Sequence, residues 1–479
     1  MRFLLALHVC AAALLAVYVL HQMALLALYA RARRRGPPPS PPFSGELPPV
    51  TVQLPLYNER YLAQRIIESA AAFDYPAHLL RIQVLDDSTD DTRDIAQAAV
   101  RIARARGVDI EWLHRTERTG YKAGALAHGL ARLPARGGEL VAVFDADFTP
   151  QPDFLRRLIV DRHAFADSRV GFVQARWEYL NRDEGITTRA QAIVLDMHFV
   201  IEQIARSSTP LPMAFNGSGG LWRRSCIDDA GGWQPDTLTE DLDLSFRAVL
   251  RGWRGRYLPD ESAAGELPRD VAAYKRQQAR WARGTVQTVR KLLGPLLCSS
   301  LAPHQRLAGA LHLTGYFVHP LILLTSITTP LLLLQPQHLS GPAGMIGLLS
   351  AAPLLSMLVS SHARGRTLGE FLRDLPAALL LGVGMAFSNT MAMAAALRTR
   401  ATGEFTRTPK GAPGAYRLRP DRTMWGELAL ALYAICAMLA LFAGGAWQSA
   451  APLLLYALGY GGVWAAQMRR RLQDREEHS

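Results

Sequence analysis

Cysteine is scarce in this chain: Cys10, Cys226, Cys298 and Cys436 are the only four among 479 residues, and they are widely scattered. That spacing excludes a disulfide framework and a zinc site, and leaves the four as reduced packing residues. No histidine or cysteine cluster accompanies the acidic motifs. No nucleic-acid-binding module or aromatic-studded basic face is present, so nucleic acid is not an expected partner even at a formal net charge of +12. Internal repeats are missing too, which excludes a solenoid. The low-complexity content is confined to the proline-rich stretch Pro37 to Pro49, read as a stiff linker.

What the chain has in place of these is apolar runs flanked by arginine. Arg31, Arg33, Arg34 and Arg35 follow one run and Arg469, Arg470 and Arg471 follow another, which points the surplus positive charge at membrane lipid. Phe3 to Tyr29 is interrupted only by His8, His21 and Gln22 and is followed, not preceded, by its charge, so an uncleaved anchor is expected. Positive-inside reasoning then puts residue 31 onwards in the cytoplasm. Further runs occur at Leu307 to Leu334, Met345 to Ser361, Leu375 to Leu397, Met424 to Phe442 and Pro452 to Met468. Arg364, Arg366 and Arg373 precede the third of these and Arg398, Arg400, Arg407 and Lys410 follow it. With both ends marked as cytoplasmic, 375–397 is expected to lie in the interface or to re-enter, leaving five spans; six spans with one charged loop outside is the alternative.

Between these regions, from about Val50 to about Arg283, the pattern is α/β. Apolar strands are expected at Val50 to Leu54, Ile82 to Leu85, Ile110 to Leu113, Leu140 to Phe144 and Val170 to Ala175, alternating with helices such as Tyr61 to Phe73 and Arg93 to Arg106. This spacing predicts a doubly wound parallel sheet. The expected organisation is an anchor over 1–36, a cytoplasmic catalytic domain over 48–300 and a transmembrane region over 301–479.

The chemistry sits at the ends of the strands. Asp86 and Asp87 end one apolar run, Asp145 and Asp147 end another, and Glu240 and Asp241 open a helix expected over Leu242 to Leu250. Carboxylates at strand tips are costly to bury alone, and an Asp-x-Asp pair suits a hard divalent cation, Mg²⁺ or Mn²⁺, held against a diphosphate. Adjacent Glu240 and Asp241 also read as an acidic pair favoured by the helix dipole, though such a pair can split its pKa values and yield a general base. Ser88 to Asp91 reads as a capping box that leaves Asp87 free to bond a nucleotide. The Gln53 to Glu59 segment is a proline-bearing turn with a capping Asn58, placed where a base and ribose could be held. Lys122 opens a helix among small residues that let a ligand approach the backbone.

The order of Asp86-Asp87, Asp145-x-Asp147, Thr239-Glu240-Asp241 and Gln277-Gln278-Ala279-Arg280-Trp281 resembles the D, DxD, TED, QxxRW signature of inverting family 2 glycosyltransferases. The resemblance is to the membrane-embedded processive branch, in the cellulose synthase-like and mannan or glucomannan synthase group, and Asn216 to Arg223 and Glu404 to Lys410 share it. It implies a GT-A type nucleotide-diphospho-sugar-binding domain joined to an α-helical transmembrane bundle. Asp86, Asp87 and Lys122 would then contact the nucleotide, with Asp87 close to the chemistry, and Asp145 and Asp147 would bind the diphosphate and its metal. Asp241 would be the catalytic base. Glu240, Gln277, Arg280 and Trp281 would sit by the acceptor, and Phe405, Thr408 and Lys410 would belong to a gating loop at about 403–412.

The implied reaction moves a hexose from UDP-glucose or GDP-mannose onto a growing β-linked polysaccharide exported through the protein's own spans, with the catalytic domain on the cytoplasmic side of a bacterial inner membrane. A non-processive enzyme making a glycolipid could use the same four motifs, but the Gln277 to Trp281 element and the gating-like loop argue against it. A scaffold with a dead catalytic fold is opposed by the complete acidic set. One expected span before the catalytic region and the lack of an appended regulatory domain depart from bacterial cellulose synthases and argue against cyclic-nucleotide control.

Overall fold

The computed structural model describes residues 1–36, 42–134, 138–334, 351–398 and 421–476. Its centre is an eight-stranded sheet made of β1 (Val50–Leu56), β2 (Leu80–Asp86), β3 (Ile110–His114), β4 (Leu140–Val143), β5 (Phe148–Thr149), β6 (Val170–Tyr179), β7 (Gly220–Arg223) and β8 (Arg254–Gly265), in the order β3-β2-β1-β4-β7-β6-β8-β5. The first four strands are parallel, as their apolar alternation with helices predicts. The other half is mixed, because β7 runs antiparallel to both β4 and β6, and β5 antiparallel to β8. The wholly parallel expectation fails there for a local reason: β7 is a four-residue strand opened by glycine and β8 carries charged residues, so neither shows an apolar run.

The sheet is covered on both faces. Val50, Val52 and Leu54 pack with Ile66, Ile67, Val100 and Phe144 on one side, while Leu85, Leu126, Val141, Phe172 and Trp222 form the core on the other. Trp222 is fully buried, with its ring 4.6 Å from that of Phe172, so truncation to alanine costs about 3–5 kcal/mol. Helix α1 (Arg2–Arg35) precedes the sheet, and α2 (Ala63–Ala71), α3 (Thr92–Ala105) and α4 (Tyr121–Ala131) follow successive strands. A buried amide ladder fixes α4: Gln53 Nε2 donates to Gln83 Oε1 (3.0 Å) and to the Leu126 carbonyl (3.2 Å), while Gln83 Nε2 donates to the Gly129 carbonyl (3.0 Å). A Cβ at Gly129 would lie 2.5 Å from Gln53 Nε2, so only glycine admits this contact. The expected capping box is not formed. Asp91 caps α3 without a side-chain bond, and Ser88 Oγ instead accepts from the Asn58 amide at 2.9 Å. Asn58 likewise caps no helix; its Oδ1 accepts from the Thr89 amide at 2.8 Å, tying the β1 and β2 loops together.

Four helical segments are long and apolar enough to cross a membrane among the described residues: Arg2–Arg35, Gly315–Leu333, Leu368–Arg398 and Met424–Ala443. The third holds the whole of 375–397 in one helix, which corrects the re-entrant reading of that run. It is one continuous 31-residue helix, about 46 Å long at 1.5 Å per residue, against roughly 30 Å of hydrocarbon. Its charged first turns belong to the same helix because the catalytic domain meets them, with Arg189 Nε 2.9 Å from the buried Asp374 carboxylate. The last helix, Ala451–Glu476, packs on it so closely that a Cβ at Gly384 would lie 2.5 Å from the Gly459 carbonyl oxygen. The run expected at Met345 to Ser361 begins outside the described residues and continues as the helix Ala351–Ala363. Of the four cysteines, Cys226 alone is buried; the packing reading fails for Cys10, Cys298 and Cys436, which are exposed and free.

Candidate active site

Sheet order reverses direction between β1 and β4, and the crevice beyond their carboxyl ends is where open α/β sheets take ligands. An open cleft of about 750 Å³ lies there. Pro55, Leu56, Tyr57 and Glu59 line it from the end of β1, Asp87 from β2, and Asp145, Ala146 and Asp147 from β4. Arg118, Lys122 and Ala125 close one side, and Gln277 and Arg280 reach in from a long helix, α5 (Val271–Leu297). Side chains separated by up to 225 positions in the chain therefore meet in one place.

The neighbouring carboxylates Asp86 and Asp87 divide their work. Asp87 lines the cleft. Asp86 is fully buried behind it and accepts from the Ser88 amide (2.9 Å) and Trp112 Nε1 (3.1 Å), so it shapes the strand end and, against expectation, does not line the cleft. Strand alternation sends successive side chains to opposite faces, which accounts for the split.

Lys122 stands at the first turn of α4 with its ammonium 2.6 Å from Asp145 Oδ1, 3.4 Å from Glu240 Oε1 and 2.9 Å from the Gly217 carbonyl. Burial pushes its pKa down, but the carboxylates of Asp145, Glu240 and Asp241 outweigh burial and hold it above the usual lysine value. Asp241 opens α6 (Glu240–Leu250), which starts two residues earlier than expected. Desolvation by burial, helped by the neighbouring Glu240 charge, lifts the Asp241 carboxyl from 3.8 to about 7 against the opposing pull of Lys122 and Arg280. A carboxyl poised near neutrality is matched to proton transfer. Glu240 is buried beside it.

Two structural devices hold this corner together. In the loop ahead of β7, Gly217 and Gly219 adopt φ of +79° and +73°, and a Cβ at Gly217 would sit 2.9 Å from Asp241 Oδ2. Ser218 Oγ in the same loop accepts from the Asp145 amide at 3.0 Å, so one turn touches both the Asp-x-Asp motif and the candidate base. Helix α5 supplies the other device. Gly284 lies where a Cβ would be 2.5 Å from Thr239, Thr288 Oγ1 is 3.1 Å from Thr239 Oγ1, and Gln287 accepts from the Leu238 amide at 2.9 Å. Gln277, Arg280, Gly284 and Thr288 recur at helical spacing, so one face of α5 lines the cleft and braces the Thr239 segment. Trp281 follows Arg280 on this helix, partly buried and outside the residues that line the cleft. Phe405, Thr408 and Lys410 lie outside the described residues.

Asp145 and Asp147 both open onto the cleft and offer hard oxygen donors. Among the described residues no group of three or more His, Cys, Asp or Glu forms a metal cage. Two carboxylates completed by substrate oxygens and water fit the donor set of Mg²⁺ or Mn²⁺ bound together with a diphosphate.

Residues 48–284 match the family described as glycosyltransferase like family 2. They form a family 2 glycosyltransferase domain. Among curated proteins the chain is 43% identical over 251 residues to glucomannan 4-beta-mannosyltransferase 2 of Arabidopsis thaliana, covering 52% of this chain and 47% of that one. It is 44% identical over 250 residues to glucomannan 4-beta-mannosyltransferase 1 of Oryza sativa subsp. japonica, covering 51% and 47%. The chain thus spans about half the length of the curated relatives it matches. Among solved structures it resembles the mannosyltransferase PcManGT from Pyrobaculum calidifontis, determined with GDP-Man and Mn²⁺, at a TM-score of 0.54 and 22% identity over 82% of this chain and 99% of that one. That likeness establishes a GT-A type fold for the family 2 domain. The expected bacterial inner-membrane address has no counterpart in these two plant relatives.

Proposed function

We propose that the protein is a membrane-embedded inverting hexosyltransferase that extends a β-linked glycan from a nucleotide diphosphate sugar. The observation that carries this reading is the meeting of Asp87, Lys122, Asp145, Asp147, Gln277 and Arg280 around one cleft, with Asp241, itself outside the cleft lining, bordering the same Gly217 as Lys122. Of the two expected donors, GDP-mannose is favoured by the names of the relatives, which are mannosyltransferases.

The residues divide the reaction as follows. Asp87 and the Tyr57 turn bind the nucleotide end of the donor, and Lys122 and Arg280 face the diphosphate with fixed positive charge. Gln277 and Arg280 reach the same cleft from α5, orienting the acceptor, and Trp281, next to Arg280 but outside the cleft lining, belongs to this proposal as an acceptor-side ring. Asp241, half titrated near pH 7, takes the proton of the acceptor hydroxyl. The hydroxyl oxygen then bonds the anomeric carbon from the face opposite the diphosphate, the carbon–phosphate oxygen bond breaks, and the nucleotide diphosphate departs with the bonding pair. Asp145 and Asp147 would hold a Mg²⁺ or Mn²⁺ that neutralises charge on the departing diphosphate. The helices after Leu307 belong to this proposal as the export route.

The test is a donor panel with purified full-length protein in lipid nanodiscs, reading released nucleotide and the size of the product. GDP released from GDP-mannose, together with long polymer cut by a β-mannanase, is the expected result. Label in an organic-soluble glycolipid would replace the polymer reading, and the release of nucleotide from no donor at all would end the proposal.

A further inference from the structure

Asp87 is the carboxylate placed at the nucleotide end of the cleft, yet it does not stand alone there. Arg115, the residue after β3, forks onto it: Nε donates to Oδ1 at 2.7 Å and a terminal nitrogen donates to Oδ2 at 2.5 Å. The same guanidinium donates to two main-chain carbonyls, Thr119 and Tyr121, each at 3.0 Å. Its side chain is 12% exposed and that of Asp87 4%. One group thus makes four charge-assisted bonds that join the end of β2 to the turn leading into α4.

That turn needs holding. Gly120 and Tyr121 take successive left-handed conformations, φ +73° and +50°, and for a residue with a side chain this conformation is disfavoured. Gly124 sits so close that a Cβ there would be 2.1 Å from the Thr119 carbonyl and 2.8 Å from an Arg115 terminal nitrogen. The very next residue after the strained pair is Lys122, whose ammonium meets Asp145 at 2.6 Å. Arg115 is therefore bonded to the residue on one side of the cleft and to the turn that aims the lysine on the other.

We propose that Arg115 is the positioning residue of the nucleotide site, locking Asp87 and the Thr119–Tyr121 turn into one unit so that Asp87 and Lys122 present together to a nucleoside diphosphate. The inference rests on the donor-site reading above and adds to it a residue outside the cleft lining. Lysine cannot replace this arginine, because a single ammonium keeps the charge but cannot form the planar fork onto Asp87 while bonding two carbonyls.

The experiment measures binding of GDP and of UDP by calorimetry to the full-length protein in nanodiscs, for wild type, Arg115→Lys, Asp87→Asn and the double variant, with thermal unfolding alongside. Arg115→Lys is expected to weaken nucleotide binding by about tenfold, the scale of one or two lost bonds to a charged group. KM for the donor should rise with it while kcat falls by a smaller factor, and the double variant should bind little worse than either single one, because the two residues act as a pair. Gly124→Ala, which pushes the same turn without altering charge, gives a second route if the lysine variant does not fold, and it too should loosen binding. Nucleotide binding by Arg115→Lys or Gly124→Ala within about twofold of wild type, or effects of Arg115→Lys and Asp87→Asn that simply multiply, would overturn the inference alone. A wild-type protein that binds neither nucleotide would overturn the donor-site reading and this inference with it.

Discussion

Lys122 and Lys275 each set an ammonium among carboxylates, one in the cleft and the other where α5 meets the last two helices of the described residues. Lys275 is closed in: its Nζ lies 2.5 Å from Glu427 and 3.1 Å from Asp421 and donates to Gln467 at 3.2 Å, while Gln467 in turn donates to Glu427 at 2.8 Å. Lys275 and Glu427 are both almost fully buried, with Asp421 at the outer edge of the group, and the network pins α5 to the helices Met424–Ala443 and Ala451–Glu476. Lys122 meets carboxylates just as closely, but it and its partner Asp145 both line the open cleft, which Lys275 and its partners do not. Polar groups buried and mutually satisfied serve position; those buried on one side and open on the other are available to a ligand.

The largest effect that separates the two regions is expected at Asp241. Asp241→Asn should lower turnover by about 10²- to 10⁴-fold, the range for loss of a general base, with no fall in melting temperature because it removes a buried carboxylate beside Glu240. Nucleotide release and thermal unfolding measured on the same sample decide it, and a melting temperature that drops in step with activity would reassign Asp241 to structure. At the junction the balance reverses. Lys275→Met leaves Glu427 buried beside no cation and should destabilise the protein by about 3–5 kcal/mol, whereas Lys275→Met with Glu427→Leu should recover much of that loss. A lysine variant as stable as wild type would remove the contrast.

Lys122→Met sharpens the comparison on a smaller scale. Its stability should fall by less than that of Lys275→Met, while affinity for the nucleotide diphosphate falls about tenfold to a hundredfold, as expected for a lost bond between charged groups. Equal losses of melting temperature in the two lysine variants, with nucleotide binding intact in Lys122→Met, would show the cleft lysine to be as structural as the other.

What the sequence made readable and what it hid divide along the same physical line. Apolar runs, two of them ending in aspartate, located β1 to β4 and with them the floor of the cleft, since parallel strands buried on both faces leave continuous hydrophobic signatures. Which of Asp86 and Asp87 lines the cleft is a matter of which side of the pleat each occupies, and no neighbouring residue reveals it. Gly217 and Ser218 stood inside a motif that matched the family, but their roles depend on φ angles and on a contact with Asp241 across the fold. Arg115 carries no local signal at all. Arg364, Arg366 and Arg373 read in the sequence as charges marking a membrane boundary ahead of 375–397, whereas in the fold Arg364 meets Asp196 at 3.3 Å, Arg366 meets Asp183 at 3.5 Å, and Arg373 shares Asp374 with Arg189.

The gentlest way to probe the comparison is pH, which acts on Asp241 without altering a residue. The carboxyl must be ionised to accept a proton, and its folded pKa of about 7 stands above the ordinary 3.8. kcat/KM should therefore climb with pH, reach its plateau above about 7, and lie about tenfold below that plateau one unit beneath the pKa. The sign for stability is opposite. A carboxyl whose pKa is raised by folding favours the protonated native state, so its contribution is complete below about 3.8, declines as pH rises towards 7 and is constant beyond. Activity and stability should thus move in opposite directions across this window, and Asp241→Asn should flatten the stability limb while leaving the junction around Lys275 untouched. A kcat/KM that stays level from about pH 5.5 to 8 would mean that the group accepting the acceptor proton is not this carboxylate.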